Sequence, residues 1–478
     1  MKSALALLLC LAGLTCLPAE AATFVIFNAD GAGEGFNDPA APAHANQIGN
    51  NPGSTLGQLR LNVFNAAAQI WGNLLSSNIT ITISAQFNTL GCSQFSGTLG
   101  SAGTTGSASN FSGGIASVAY HIALAESLAN SNINAGSAEI NATFNSAVDT
   151  NNVNCLGGGG FYYGLDGNAP AGTTALFPVV LHELAHGLGF STMADVGSGG
   201  TGNFTGSLGF PDAFSRNLLD LETGKSWDAM TPGERLASAI NAPDLVWKGA
   251  QVTANRSQFL GPAPEIAINA PPGIVGTHLS IFGDEPTIVM PGGGVTASMA
   301  DGTALVTDPC ADVPAGVTGK ILLYDLPAGC PAAIPAFLAQ VGLATGVIIA
   351  STSGTSLPNM AGQIDNQAVT IPYVGATLAV GSSLRSNIGT ANVTIRNSAT
   401  VLSGDNQGKL RMFAPGTFAP GSSVSHWASE ARPDLLMESV KGSNAWNQVD
   451  ITPSAFADIG WILLTADPTL IFKNGFEN

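Results

Sequence analysis

The sequence predicts an α/β protein in which a larger unit, with a central helix, is interrupted by a smaller α/β module. Three observations predict it. Helical periodicity alternates with β-branched segments between residues 54 and 187. A second strand–helix–strand rhythm occupies residues 300–395. Beyond it the texture changes again, with Trp427, Trp446 and Trp461 and the segment Asp450 to Trp461, and no internal repeat joins the parts.

Taken in order, Lys2, an apolar run from Ala4 to Leu17 and Ala19-Glu20-Ala21 have the form of a secretory signal peptide over residues 1–21. The apolar run is short for a membrane anchor. Residues 54–77 have helical spacing behind a Ser/Thr start signal, and Ile79 to Phe87 alternates as a strand. Ile115 to Asn130 has the pattern of a second helix, Glu139 to Phe144 that of a strand, and Thr174 to Gly187 that of the central helix. In the smaller module, Gly319 to Asp325, Gly346 to Ala350 and Val369 to Val374 are expected strands, and Ala333 to Leu343 a helix. The last residues, 466–478, form a tail.

Composition narrows the partners. Only 10% of residues are charged, yet the formal net charge is −17. Loss of residues 1–21 removes one positive charge (Lys2) and one negative (Glu20), so that figure stands. An acidic surface argues against nucleic acid or anionic membrane as partner. Of six cysteines, Cys10 and Cys16 fall in the signal peptide. The remaining four allow three pairings; Cys92–Cys155 and Cys310–Cys330 are favoured because each then lies within one unit.

The chemistry concentrates in Leu181-His182-Glu183-Leu184-Ala185-His186-Gly187-Leu188-Gly189-Phe190. On a helix, His182 and His186 stand one turn apart on one face, so two imidazoles can reach one Zn²⁺. Glu183 lies beside them as the general base for a metal-bound water. Burying these polar groups in an otherwise apolar run is costly without a partner, and a metal supplies one. Zinc needs a third ligand, and Thr192, where an extended H-E-x-x-H-x-x-G-x-x-H pattern would place a histidine, is a poor one. His426 in Ser425-His426-Trp427 is the first choice, with His278 and the acids Asp195 and Glu222 as rivals. His121, on a helix pattern, and His44, in a Pro/Ala-rich segment, are expected not to be ligands.

This combination, HELAHGLGF, a long insertion, then SHW and Leu435-Leu436-Met437-Glu438, resembles the leishmanolysin-type branch of the metzincins. The resemblance covers residues 55–290 and 400–461 loosely and is specific around the two motifs. It implies a twisted mixed sheet plus active-site helix, one catalytic zinc on His182, His186 and His426, Glu183 as base, and a methionine turn at Met437. It also implies a secreted endopeptidase acting on protein or peptide substrates. Fewer cysteines and the lack of a recognisable prosegment depart from that branch. Gly319-Lys320-Ile321-Leu322-Leu323, Gly346-Val347-Ile348-Ile349 and Ile371-Pro372-Tyr373-Val374 resemble a protease-associated (PA) domain, which implies substrate docking or gating without catalytic residues. The resulting division is 22–299, a PA-like insert at 300–395, and 396–465. Two other classes stay open: a metal-stabilised extracellular binding protein without turnover, and a zinc hydrolase of a non-peptide substrate. Calcium and oligomeric state are left open.

Overall fold

The computed structural model describes residues 20–42, 45–94, 96–150, 153–283, 288–326, 329–353, 357–358, 360, 368–439 and 448–464. The expected signal peptide, apart from residues 20 and 21, lies outside the described residues, as do the tail, His44 and Trp446.

Strand β1 (Phe24–Asn28) leads to helix α1 (Leu56–Leu74), which begins where Thr55 accepts a hydrogen bond from the Gln58 N–H. Leu59, Val63, Ala67, Ile70, Trp71 and Leu74 recur at three- and four-residue intervals and are buried, which is why this stretch settles as a helix on a core. Strand β2 (Ile81–Asn88) buries alternate residues from Ile81 to Phe87. It pairs in parallel with β1 and with β6 (Ile140–Asn145), while β3 (Gly100–Thr104) pairs antiparallel to β6. The order β1-β2-β6-β3 leaves β3 at an edge. Helix α3 (Leu176–Gly187) packs on β3 and β6, and α1 packs on α3, with Trp71 Nε1 donating to the Leu181 carbonyl at 3.1 Å.

The expected helix at 115–130 is shorter than its pattern suggests. Strand β4 (Ser107–Ser109) pairs with β5 (Ala119–His121), and helix α2 covers only Ile122–Ala129. Ser117, at φ +59°, already breaks the helical path.

Residues Pro262 to Leu402 build an eight-stranded sheet. The order of its strands is 276–279, 262–270, 392–402, 295–301, 321–325, 346–350, 373–376, 281–282. Four neighbouring strands, from 295–301 to 373–376, are parallel. Within 321–325, Ile321 and Leu323 face one apolar cluster, and Leu322 and Tyr324 face another. Helix Leu378–Ser386 covers the first face and Ala333–Val341 the second. This sheet therefore begins well before residue 300, and strand 392–402 carries it past 395. The strand expected at Val369 starts only at Tyr373. Pro372, which has no N–H for a ladder, instead offers its carbonyl to Val347 N at 2.9 Å.

The core of the first unit draws on residues from Ala22 to Leu260 and again from Leu410 to Trp461. It is discontinuous in sequence, interrupted by the eight-stranded insert. Cys92 is bonded to Cys155 and Cys310 to Cys330, one disulfide in each unit. Among the described residues, no helix is long and apolar enough to cross a membrane.

Candidate metal centre

Helix α3 carries His182 and His186 one turn apart, and its end aims the second of them. Leu188 N bonds back to Leu184 O, and Gly189 then takes φ +121°, a backbone conformation that L side chains rarely adopt. That turn brings the Phe190 carbonyl to His186 Nδ1 at 2.7 Å. His426 arrives from the far side of the insert, its Nδ1 2.7 Å from the Ser422 carbonyl. His182 Nδ1 lies 2.6 Å from the Leu436 carbonyl.

A carbonyl oxygen only accepts, so each Nδ1 carries the proton of its ring. Each Nε2 is then the bare, lone-pair nitrogen of a neutral imidazole. The three Nε2 atoms converge: 3.1 Å between His186 and His182, and 3.2 Å from each of these to His426. With no hydrogen to share, these contacts are not hydrogen bonds. Three lone pairs pointed at one another repel, and a cation between them removes the conflict. Two ligands at 2.0–2.1 Å from a tetrahedral Zn²⁺ lie about 3.3 Å apart, close to what is seen. The residues therefore fit a zinc ion. Among the described residues this is the only group of three or more His, Cys, Asp or Glu side chains near enough to hold a metal.

The electrostatics agree with neutral ligands. Burial pushes His182 below its ordinary value, and burial followed by repulsion from His182 pushes His186 down to about 3. His426 is held well below the usual range, first by burial and then by His186 and His182. Glu183 is also buried, which raises its carboxyl to about 8. Its Oε2 accepts the Ala102 N–H of the edge strand β3 at 2.9 Å. Gly100 makes that approach possible, since a Cβ there would stand 3.0 Å from Glu183 Cγ.

Met437 is fully buried beside the cluster. Its carbonyl accepts the N–H of Trp427, the residue next to His426, at 2.8 Å. Thr192 joins its N–H to Ser425 Oγ at 3.2 Å and thereby braces the residue preceding His426.

The rival ligands are elsewhere. His278 pairs with Ile266 in the eight-stranded sheet. Asp195 accepts the Thr201 N–H and hydroxyl, and Glu222 accepts Asn241 Nδ2. His121 is buried on β5 with Nε2 2.9 Å from Ser191 Oγ, and burial lowers it to about 4. Reasoning from side chains missed the carbonyls of Phe190, Ser422 and Leu436 and the N–H of Ala102. These are main-chain groups, to which residue type gives no clue.

No family model matches the chain, and no curated protein does. Among solved structures, the chain is similar to a zinc aminopeptidase from Bacillus subtilis at 19% identity. That match covers 29% of this chain and 32% of the other, with a TM-score of 0.23. A psychrophilic subtilisin-like protease from an Antarctic Pseudoalteromonas matches at 16% identity over 29% and 34%, with a TM-score of 0.23. A peptidase M28 precursor from Shewanella amazonensis matches at 12% identity over 38% and 44%, with a TM-score of 0.24. The chain thus spans about a third to under half of the length of these structures.

Proposed function

We propose that this chain is an exported zinc-dependent endopeptidase of the metzincin type, similar to the leishmanolysin branch, with a PA-like insert. The observation that carries the reading is the convergence of three unprotonated Nε2 atoms beside a buried glutamate. His182, His186 and His426 would hold the metal. A bound zinc supplies Lewis acidity, acidifying a water and polarising a substrate carbonyl.

The rest of the chemistry belongs to the chain. Glu183, buried and next to His182 on α3, is placed to take a proton from the attacking water and return it to the leaving amine. The Ala102 N–H fixes one oxygen of that carboxylate and so orients it. The free edge of β3 runs past Glu183, which suits an extended peptide laid alongside as a further strand. Met437 supports the floor of the site, and the two disulfides suit an oxidising compartment.

The test is hydrolysis of an unfolded protein by the zinc-loaded mature chain beside its Glu183→Gln variant. The proposal expects cleavage by the first and a loss of at least ~10²-fold in the second, with equal zinc content. If both bind zinc and neither cleaves, the peptidase reading fails and a metal-stabilised binding protein or a hydrolase of another substrate takes its place.

A further inference from the structure

Beyond the histidines, one segment makes backbone contacts to the surroundings of two of them. The turn Leu435–Glu438 gives its Leu436 carbonyl to His182 and its Met437 carbonyl to the neighbour of His426. Such a turn positions a metal ligand only if it is itself held. Its two leading N–H groups are held by carboxylates: Leu435 N donates to Glu438 Oε1 at 2.9 Å, and Leu436 N donates to Asp450 Oδ2.

Asp450 comes from beyond the turn, at the entry to the helix Thr452–Ile459. Its other oxygen accepts the Thr452 N–H at 3.2 Å and the Thr452 hydroxyl at 3.1 Å. Among the described residues no cationic side chain pairs with it, so its charge is answered by these donors. The residue also sits at φ +38°, a left-handed conformation that costs any residue with a Cβ. Such strain persists where surrounding bonds over-determine it. Here those bonds tie the turn to the last helix of the first unit.

We infer that Asp450 is a positioning residue for the metal centre, clamping Leu436 so that its carbonyl fixes the tautomer and aim of His182. The line runs from carboxylate to main-chain N–H, across one residue, to carbonyl, to imidazole. It replaces the direct carboxylate–histidine bond that often orients a metal-binding imidazole. The inference rests on the reading of His182, His186 and His426 as zinc ligands. It adds a residue that no spacing rule connects to them.

Two variants test it in the full mature chain, with zinc affinity measured by chelator competition and ring Nδ1–H signals followed by NMR. Asp450→Gly removes the carboxylate and tolerates positive φ, so backbone strain does not confuse the result. Asp450→Asn keeps one carbonyl acceptor in the same volume. The expected result is a loss of zinc affinity of ~10–100-fold in the glycine variant and a smaller loss in the asparagine variant. The His182 Nδ1–H signal should shift or exchange faster, while those of His186 and His426 hold. Wild-type affinity and an unchanged His182 signal in both variants overturn the inference while leaving the centre intact. So does an equal loss of all three signals together with the overall fold. If the wild type itself takes up no zinc, the parent reading fails instead.

Discussion

The two units treat buried charge in opposite ways. Between residues 262 and 402, Glu265 is the only charged side chain among the described residues that is buried, and Arg396 pairs with it at 2.7 Å. The first unit buries Arg60, His121, Glu183, His186, Asp212 and His426, among others. Burying an ionisable group is costly, so a unit that does it repeatedly either pairs those groups or uses them. Arg60 is paired with Asp149 at 2.7 Å, and Asp212 accepts hydrogen bonds from Met193 and from Ser215. Among the described residues, His182, His186, His426 and Glu183 have no counter-ion, and that is where the chemistry is sought. The insert instead buries two apolar clusters, one on each face of its sheet.

Metal removal should separate the units most widely. Chelation is expected to abolish cleavage and to lower the thermal transition of the first unit alone. Stabilisation by a ligand at a thousand times its dissociation constant is about 4 kcal/mol. Calorimetry with and without chelator checks this; equal shifts in both units would break the contrast. Next in size is a core truncation in the insert. Ile348→Ala, at a fully buried position, should cost ~2–5 kcal/mol yet leave zinc content unchanged.

A third perturbation has the opposite sign. In the metal-free chain, burial raises Glu183 to about 8 from 4.5. Below pH 4.5 the carboxyl is protonated in both folded and unfolded states. As pH rises from 4.5 toward 8, the unfolded chain gives up this proton while the folded one keeps it, so stability falls. Glu183→Gln removes that penalty and should raise metal-free stability at pH 7 by roughly 3 kcal/mol. Denaturant unfolding at pH 4 and pH 7 measures it; a gain at pH 4 alone would contradict the assignment. The smallest effect is expected from His278→Ala, a strand position in the insert, where stability should change by less than about 0.5 kcal/mol.

What the sequence made legible follows the range of each interaction. The spacing of His182 and His186 is local and read directly as a helix face. So was the alternation from Ile81 to Phe87. Strand Pro262–Ala270 was missed because its prolines and Glu265 imitate a loop. It becomes a strand only through partners at 276–279 and 392–402. The helix expected from Ile115 gave way to β5 because Ser117 adopts a conformation that residue type does not announce. The groups that aim the three imidazoles are main-chain carbonyls, and Asp450 touches the residue that offers one of them, Leu436, through its N–H. No side-chain pattern records either.

Three histidines from two distant segments are expected to bind one metal, and zinc content is the direct readout of that. Mass spectrometry under native conditions on the mature chain, His426→Ala and His278→Ala would report it. One zinc per chain is expected in the wild type and in His278→Ala, and none in His426→Ala. Zinc retained by His426→Ala, or lost from His278→Ala, would contradict it.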